Sequence, residues 1–207
     1  MTKSKSFRPK VSVVVITSPG YEMFLAKTLA SLRKQQVSHE VILEDNPHRT
    51  LATACNRAID RAEGEYIVRV DSDDWVANSL LSTEAKYLDL NPDIDCVWCD
   101  YWKSFDNHTE YMAQPLLEHA CGAMFRKSVW ENLGGYDESL HYQEAFEFWQ
   151  HFHAEGLKAV RIEQPLYYYR QHATSMSRNV KEKMKTRQMI LERYRGKRGH
   201  IKQIGLA

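Results

Sequence analysis

The stretch that decides the fold is Tyr66–Trp75, YIVRVDSDDW. A short strand-forming run, Tyr66–Val70, passes directly into Asp71-Ser72-Asp73-Asp74. Its β-branched and aromatic composition, its length and its polar boundary specify a buried strand that ends in carboxylates. Toward the N-terminus the same grammar repeats. Val11–Ile16 is a second β-branched run, broken by Thr17-Ser18-Pro19-Gly20, strong turn punctuation. Phe24–Gln35 reads as a helix with Leu25, Leu29 and Leu32 on one face. Glu40–Leu43 reads as a strand that stops in Glu44-Asp45-Asn46-Pro47, and Leu51–Ala62 as a helix ended by Gly64. The order βαβαβ predicts a parallel sheet with right-handed crossovers, in which ligands bind beyond the carboxyl ends of the strands. Three consecutive strands end in polar clusters there.

Toward the C-terminus, Asn78 is expected to cap a helix over Ser79–Leu90, stopped by Asn91-Pro92. Ile94–Tyr101 reads as a strand, Phe105–Gln114 as a loop or edge hairpin, and Ala120–Phe125 as another strand. Ser128 is expected to cap a short helix, Val129–Leu133, closed by Gly134-Gly135. Glu144–Ala154 reads as a helix; Ala159–Ile162 and Leu166–Arg170 read as a strand and a separate short extended piece. The fold class is α/β, with a mostly parallel central sheet flanked by helices.

The composition agrees with one folded domain. The chain has 207 residues, 43% hydrophobic and 27% charged, which excludes wholesale disorder, collagen-like repeats and a disulfide scaffold. Apolar runs such as Val13–Ile16 fall far short of the ~20 residues of a spanning helix. Met1–Lys10 is basic with no apolar core behind it, so no secretory signal is expected. Cys55, Cys96, Cys99 and Cys121 are then expected as free thiols. Cys96-Val-Trp-Cys99 has CxxC spacing, but on a strand its two thiols point to opposite faces, which favours structural burial over a metal or redox pair.

Charge is unevenly placed. Arg178–Ala207 carries ten Lys/Arg and two Asp/Glu, a net +8, and the rest of the chain carries −7. An acidic globule with a basic end does not suit nucleic acid, whose basic stripe would lie on the fold itself. The tail suits an anionic surface. Its Val180–Arg195 segment, with Met184, Met189, Ile190 and Leu191 among the bases, can be an interfacial helix. It can equally be a helix packed on the domain or on a second subunit, as in a homodimer.

Asp71 and Asp73 project to one side of an extended backbone. Two hard oxygen donors without Cys or His beside them suit magnesium or manganese shared with substrate phosphates; a capping run before the next helix is the plain alternative. Glu144, Glu147 and His151 follow i, i+3, i+7 on one helix face. Glu144 at the helix start is a candidate general base, against the alternative of a solvated polar face. In LYYYRQHATSMS, residues 166–177, His172 with Arg170, Ser175 and Ser177 would suit a diphosphate. Tyr101, Trp102 and Tyr142 are aromatic candidates for stacking on sugar rings.

Taken in order, VSVVVITSPGYEMFLAKTLASLRKQ, EVILEDN, ACNRAIDRAEGEYIVRVDSDDW, GAMFRKSVWENLGGYDESL, EAFEFW and LYYYRQHATSMS resemble the family 2 glycosyltransferases. The resemblance covers about residues 10–177. It implies the GT-A fold and inverting transfer of a sugar from a nucleotide-sugar, UDP-linked in many members, to an acceptor hydroxyl, with Mn2+ or Mg2+ as cofactor. It implies a nucleotide-sugar half over about residues 10–100 and an acceptor half over 101–177, one domain from 1 to 177, followed by a basic helical tail over 178–207. A glycan or lipid-linked acceptor, polysaccharide, lipopolysaccharide or other glycoconjugate synthesis, and a cytoplasmic location at the inner membrane face accompany it.

Residue by residue, the resemblance places Thr17, Asp45 and Glu44 at the base, with Asn56, Asp71 and Arg170 in the nucleotide-binding set. It gives Asp71, Asp73 and His172 to the metal, Glu144 to proton abstraction, and Trp102 and Trp149 to the acceptor side. Two departures stand out. Glu144-Ala145 replaces the Glu-Asp that opens this helix in many members, which makes Glu147 a second base candidate. The Asp45–Asn56 segment is short, with Cys55 where many members have arginine, so Arg49 or Arg57 would have to substitute. A nucleotide-sugar-binding protein without transfer activity is the rival reading. A sugar nucleotidyltransferase is the more distant one, because TSPG followed by Glu22 does not resemble its phosphate loop.

Overall fold

The computed structural model describes residues 8–46, 50–105, 107–114, 119–172 and 180–197. The first half is the expected alternation: β1 (Val11–Thr17), α1 (Glu22–Leu32), β2 (His39–Asp45), α2 (Leu51–Asp60) and β3 (Tyr66–Arg69). Next come β4 (Trp75–Val76), α3 (Leu80–Leu90), β5 (Cys96–Ser104), β6 (Thr109–Met112), β7 (Ala123–Arg126), α4 (Lys127–Leu133), α5 (Glu144–Ala154), β8 (Ala159–Arg170) and α6 (Val180–Arg193). The strands form one sheet in the order β2-β1-β3-β7-β5-β8-β4, with β6 paired to β5.

This is an α/β fold whose sheet is parallel in its first half and mixed in its second. β1 runs parallel to β2 and β3, and β5 parallel to β8. β7 is antiparallel to both β3 and β5, and β4 and β6 are antiparallel to β8 and β5. A core covers each face. Val14, Ile16, Ile67, Cys96, Phe125 and Phe148 lie on the α2/α4/α5 side; Val13, Val15, Val68, Leu81, Cys99 and Met124 lie on the α1/α3 side. Alternation along the strands sends Cys96 and Cys99 to opposite cores, and all four cysteines are free.

Several local expectations change. Ser79, not Asn78, occupies the α3 N-cap position, and its side chain makes no cap bond. α4 starts at Lys127, so Ser128 lies inside it. Arg126, just before α4, serves a different helix. Its guanidinium donates to the carbonyls of Leu88 at 2.8 Å, Asn91 at 3.2 Å and Ile94 at 2.9 Å, capping the α3 C-terminus with a cation. α2 ends at Asp60, so Gly64 does not end it. Gly64 instead lets two backbones touch, since a Cβ there would meet Ser12 N at 2.5 Å and Val11 C at 2.8 Å. Of the loop or edge hairpin expected over Phe105–Gln114, the hairpin forms: β6 (Thr109–Met112) pairs antiparallel with Tyr101–Ser104 of β5. The two pieces at 159–170 are one strand, because the sheet absorbs Pro165 through register shifts opposite Asp100.

Helix α6 of the basic tail packs on the domain. Ile190 of α6 is fully buried with Leu140 and Phe146, and Tyr194 packs beside them. Among the described residues no helix is long and apolar enough to cross a membrane.

Candidate active site

Three strand ends converge. Thr17 pairs with Asp45 in the β1–β2 register, and the Asn46 N–H donates to the Thr17 carbonyl at 2.8 Å. The Val70 N–H donates to the Val14 carbonyl at 3.0 Å, which sets Asp71 beside them. Asp45 is exposed. Glu44 is buried and committed to α2, its oxygens 3.2 Å from Arg57 Nε and 2.8 Å from Arg61 Nη2. Asn56 is committed to the loop after α4: it donates to the Tyr136 carbonyl at 3.0 Å and to Glu138 at 2.8 Å, and accepts from the Tyr136 N–H at 2.9 Å.

The aspartate loop is braced from two elements, α1 and β8. Thr28 on α1 donates its hydroxyl toward the carbonyls of Ser72 (2.8 Å) and Asp74 (2.6 Å). Tyr167 on β8 donates to Asp74 Oδ2 at 2.7 Å and accepts from the Asp71 N–H at 3.2 Å. Tyr167 itself fits under Gly122, whose φ is +72° and where a Cβ would sit 2.8 Å from the ring. Arg170 donates its N–H to Asp74 Oδ1 at 2.8 Å and its Nε to the Asp73 carbonyl at 2.6 Å. Its guanidinium lies 4.8 Å from the ring centres of both Phe24 and Trp75. His172 Nε2 lies 2.8 Å from Asp73 Oδ2, with its ring 4.7 Å from Phe24 and 5.7 Å from Tyr21.

Carboxylate oxygens of Asp71, Asp73 and Asp74 lie within 4.8 Å of one another. Burial, joined by the Asp71 charge, pushes the Asp73 carboxyl above its ordinary range, against the pull of His172. Burial and the charges of both neighbours push Asp74 well above it. Both Asp74 oxygens are taken by Tyr167 and Arg170, so Asp74 is the brace. Asp71 and Asp73 are the donors that suit a cation. The set offers hard oxygens only, in a partly wet site where carboxylates some 4 Å apart repel by about 1–4 kcal/mol, and it fits magnesium or manganese.

The head of α5 is wired differently. Arg69 at the end of β3, 6% exposed, donates Nε to Asp71 at 2.9 Å and Nη1 to Glu144 at 3.2 Å. Burial, the largest single influence, would lower its pKa, but Asp71 together with its other neighbours holds it well above the usual value. The face of Glu144, Glu147 and His151 is not a solvated stripe, because α6 lies over it. Tyr194 donates to Glu147 Oε1 at 2.6 Å and Arg193 Nη1 does so at 3.2 Å, while Arg193 also reaches Asp137 at 2.8 Å. Gln143, the N-cap residue of α5, is in the left-handed region at φ 66°.

Of the aromatic candidates, Trp149 is a core residue, 1% exposed, its indole N–H donating to the His119 carbonyl at 3.1 Å. Trp102 is partly exposed on β5, edge-on to Tyr111. Ser175, Ser177 and Arg49 lie outside the described residues. Sequence reasoning missed Arg69, Thr28, Tyr167, Arg193 and Tyr194. Arg69 alone left a signal, as a charge inside an apolar strand; the others act through contacts distant in sequence.

The family model for glycosyl transferase family 2 matches residues 38–141, half of the chain. The chain belongs to this family. Among its relatives, it is 28% identical over 174 residues to EpsH of Bacillus subtilis (strain 168), a glycosyltransferase by assignment, covering 70% of this chain and 48% of EpsH. The fold matches S. aureus TarS 1–349 in complex with UDP-GlcNAc, with a TM-score of 0.71 and 17% identity over 83% of this chain and 61% of that one. It also matches the mannosyltransferase PcManGT from Pyrobaculum calidifontis in complex with GDP-Man and Mn2+, with a TM-score of 0.61 and 19% identity over 84% and 59% of the two chains. This family 2 chain thus spans about half the length of EpsH and about three fifths of each structural neighbour.

Proposed function

We propose that the chain is a metal-dependent, inverting glycosyltransferase that moves a sugar from a nucleotide-sugar, UDP-linked in the first instance, to an acceptor hydroxyl. The observation that carries this is the aspartate triad at the converging strand ends, joined through one buried arginine to a carboxylate on the opposite wall. Asp71 and Asp73 would hold Mn2+ or Mg2+, with Asp74 as their brace. When bound, such a cation offsets the charge that grows on a departing nucleoside diphosphate. Thr17 and Asp45 face the base, and Arg170 and His172 close the diphosphate side.

Glu144 takes the proton of the acceptor hydroxyl. The acceptor oxygen forms its bond to the anomeric carbon from the side opposite the breaking bond to phosphate, so configuration inverts and the nucleoside diphosphate leaves with the electron pair. Glu144 is preferred to Glu147 because Glu147 is already held by Tyr194 and Arg193 under α6. Proximity of donor and acceptor supplies much of the remaining rate. Residues 1–177 make up the catalytic domain, with the nucleotide half before about residue 100. The acceptor is a glycan or lipid-linked glycan. The exposed face of α6, with Met184, Leu191 and bases such as Lys181 and Lys185, suits an anionic membrane surface on the cytoplasmic side, and anionic liposomes at low salt would retain the full chain.

The deciding experiment is a thermal-shift panel of nucleotide-sugars with and without manganese, followed by a transfer and donor-hydrolysis assay. Stabilisation by a UDP-sugar only with manganese, together with turnover, supports the reading; no metal-dependent stabilisation overturns it. One observation favours a second reading, binding without transfer: Glu144 is paired with Arg69, and Ala145 offers no second carboxylate beside it. Metal-dependent binding with neither hydrolysis nor transfer would select that reading.

A further inference from the structure

Two carboxylates share one guanidinium. Arg69 reaches Asp71 Oδ1 with Nε at 2.9 Å and Glu144 Oε1 with Nη1 at 3.2 Å. Asp71 belongs to the loop after β3, and Glu144 opens α5, 75 residues beyond Arg69 along the chain. The arginine has little freedom to find other partners, because it is 6% exposed and its surroundings are Cys55, Cys121 and Tyr136. Burial raises the pKa of each of those three groups, Cys55 to about 12, so they stay neutral and offer no competing charge. The planar fork of arginine suits one bond to each carboxylate, and a lysine ammonium would not span them in the same way.

We propose that Arg69 is a positioning residue that transmits occupancy of the Asp71–Asp73 cation site to Glu144. This rests on the reading of that pair as the cation site. A cation at Asp71 draws on the same carboxylate charge that holds Arg69. The guanidinium then leans on Glu144 and fixes its orientation. Conversely, when Glu144 loses its charge, Arg69 is left wholly to Asp71 and competes with the cation. Linkage makes the two effects equal in size. The consequence for the reaction is an order of events: the donor side, once loaded, sets the carboxylate that meets the acceptor.

The test is a thermodynamic cycle read by calorimetric titration of Mn2+ into four proteins: wild type, Glu144→Gln, Arg69→Met and the double variant. Glu144→Gln is expected to weaken Mn2+ by about five-fold in the wild-type background and to leave it unchanged in the Arg69→Met background. An equal loss in both backgrounds would show that Glu144 acts by its direct field alone, and would overturn the proposal, as would no loss in either. Should circular dichroism show Arg69→Met unfolded, the Arg69→Lys pair replaces it. There the loss should shrink to about two-fold or less, and an undiminished loss overturns the proposal. Absence of Mn2+ binding by the wild type would remove the cation site itself. Binding with additive effects removes only the role of Arg69.

Discussion

After β3, three carboxylates crowd within 4.8 Å of one another, with Arg69, Arg170 and His172 at their margins. At the head of α5, two carboxylates each meet an arginine: Glu144 meets Arg69, which it shares with Asp71, and Glu147 meets Arg193, which it shares with Asp137. The same functional group is therefore under-compensated in one region and compensated in the other. The difference teaches where each region expects its missing charge to come from. The aspartates need one from outside the chain, whereas the glutamates already have theirs. The three braces from α1 and β8 hold the aspartates together despite their repulsion, an arrangement that makes sense when a divalent ion is the missing partner.

The comparison can be broken from either end. The largest effect is expected for Asp73→Ala: loss of transfer by about 10³-fold and loss of manganese-dependent nucleotide binding, measured by turnover and calorimetry. Retained metal-dependent binding would show that the aspartates are not the under-compensated partner. Next, Glu144→Gln should slow transfer by about 10²–10⁴-fold while the nucleotide dissociation constant changes by less than about ten-fold. Wild-type turnover in this variant would remove Glu144 as the base.

Two smaller effects sharpen the contrast. The raised folded-state pKa values of Asp73 and Asp74 mean that the metal-free cluster is most comfortable when protonated. Its contribution to stability is present at low pH and lost as pH rises through those values. Saturating manganese should therefore raise the melting temperature near neutral pH, by an amount equivalent to about 2.7 kcal/mol at 100 times the dissociation constant. In mild acid, above the ordinary carboxylate range, the gain should shrink. An equal shift at both pH values would contradict the charge assignment. Least of all, Tyr194→Phe removes one hydrogen bond from Glu147, which still has Arg193. It should cost about 1–2 kcal/mol in chemical denaturation and leave turnover within about two-fold, since Glu147 is assigned to packing rather than proton transfer.

How much of this was legible in the sequence follows from what is local. The βαβαβ half, the carboxylate-ended strands and the split of Cys96 and Cys99 between two cores are all set by periodicity within a few residues. The antiparallel insertion of β7 between β3 and β5 is not, because strand composition carries no direction. Pro165 reads locally as a break, and only pairing with β5 shows that β8 continues through it. In the site, Asp71, Asp73 and Glu144 announce themselves by clustering or by helix position. Their wiring does not: Tyr167 lies 93 residues from its partner Asp74, and Tyr194 lies 47 from Glu147. Glu144, Glu147 and His151 show on paper as one polar face. That α6 would cover it depends on tertiary packing of Ile190 against Phe146 and Leu140.

The unbroken run of β8 has an evolutionary consequence. Tyr167, Tyr168 and Arg170 sit on a single strand, with Tyr167 and Tyr168 on its opposite sides. Tyr167 reaches Asp74, Tyr168 stacks on Trp75, and the strand end delivers Arg170 to the aspartate loop. Removing or adding one residue just before Tyr167 would swap the two faces of everything that follows, exchanging the hydroxyl under Asp74 for a side chain aimed the other way. Many substitutions in this strand can be absorbed by repacking, but a change in its length cannot. Across descendants of this chain, the spacing from Pro165 to His172 should therefore drift more slowly than the residues that fill it.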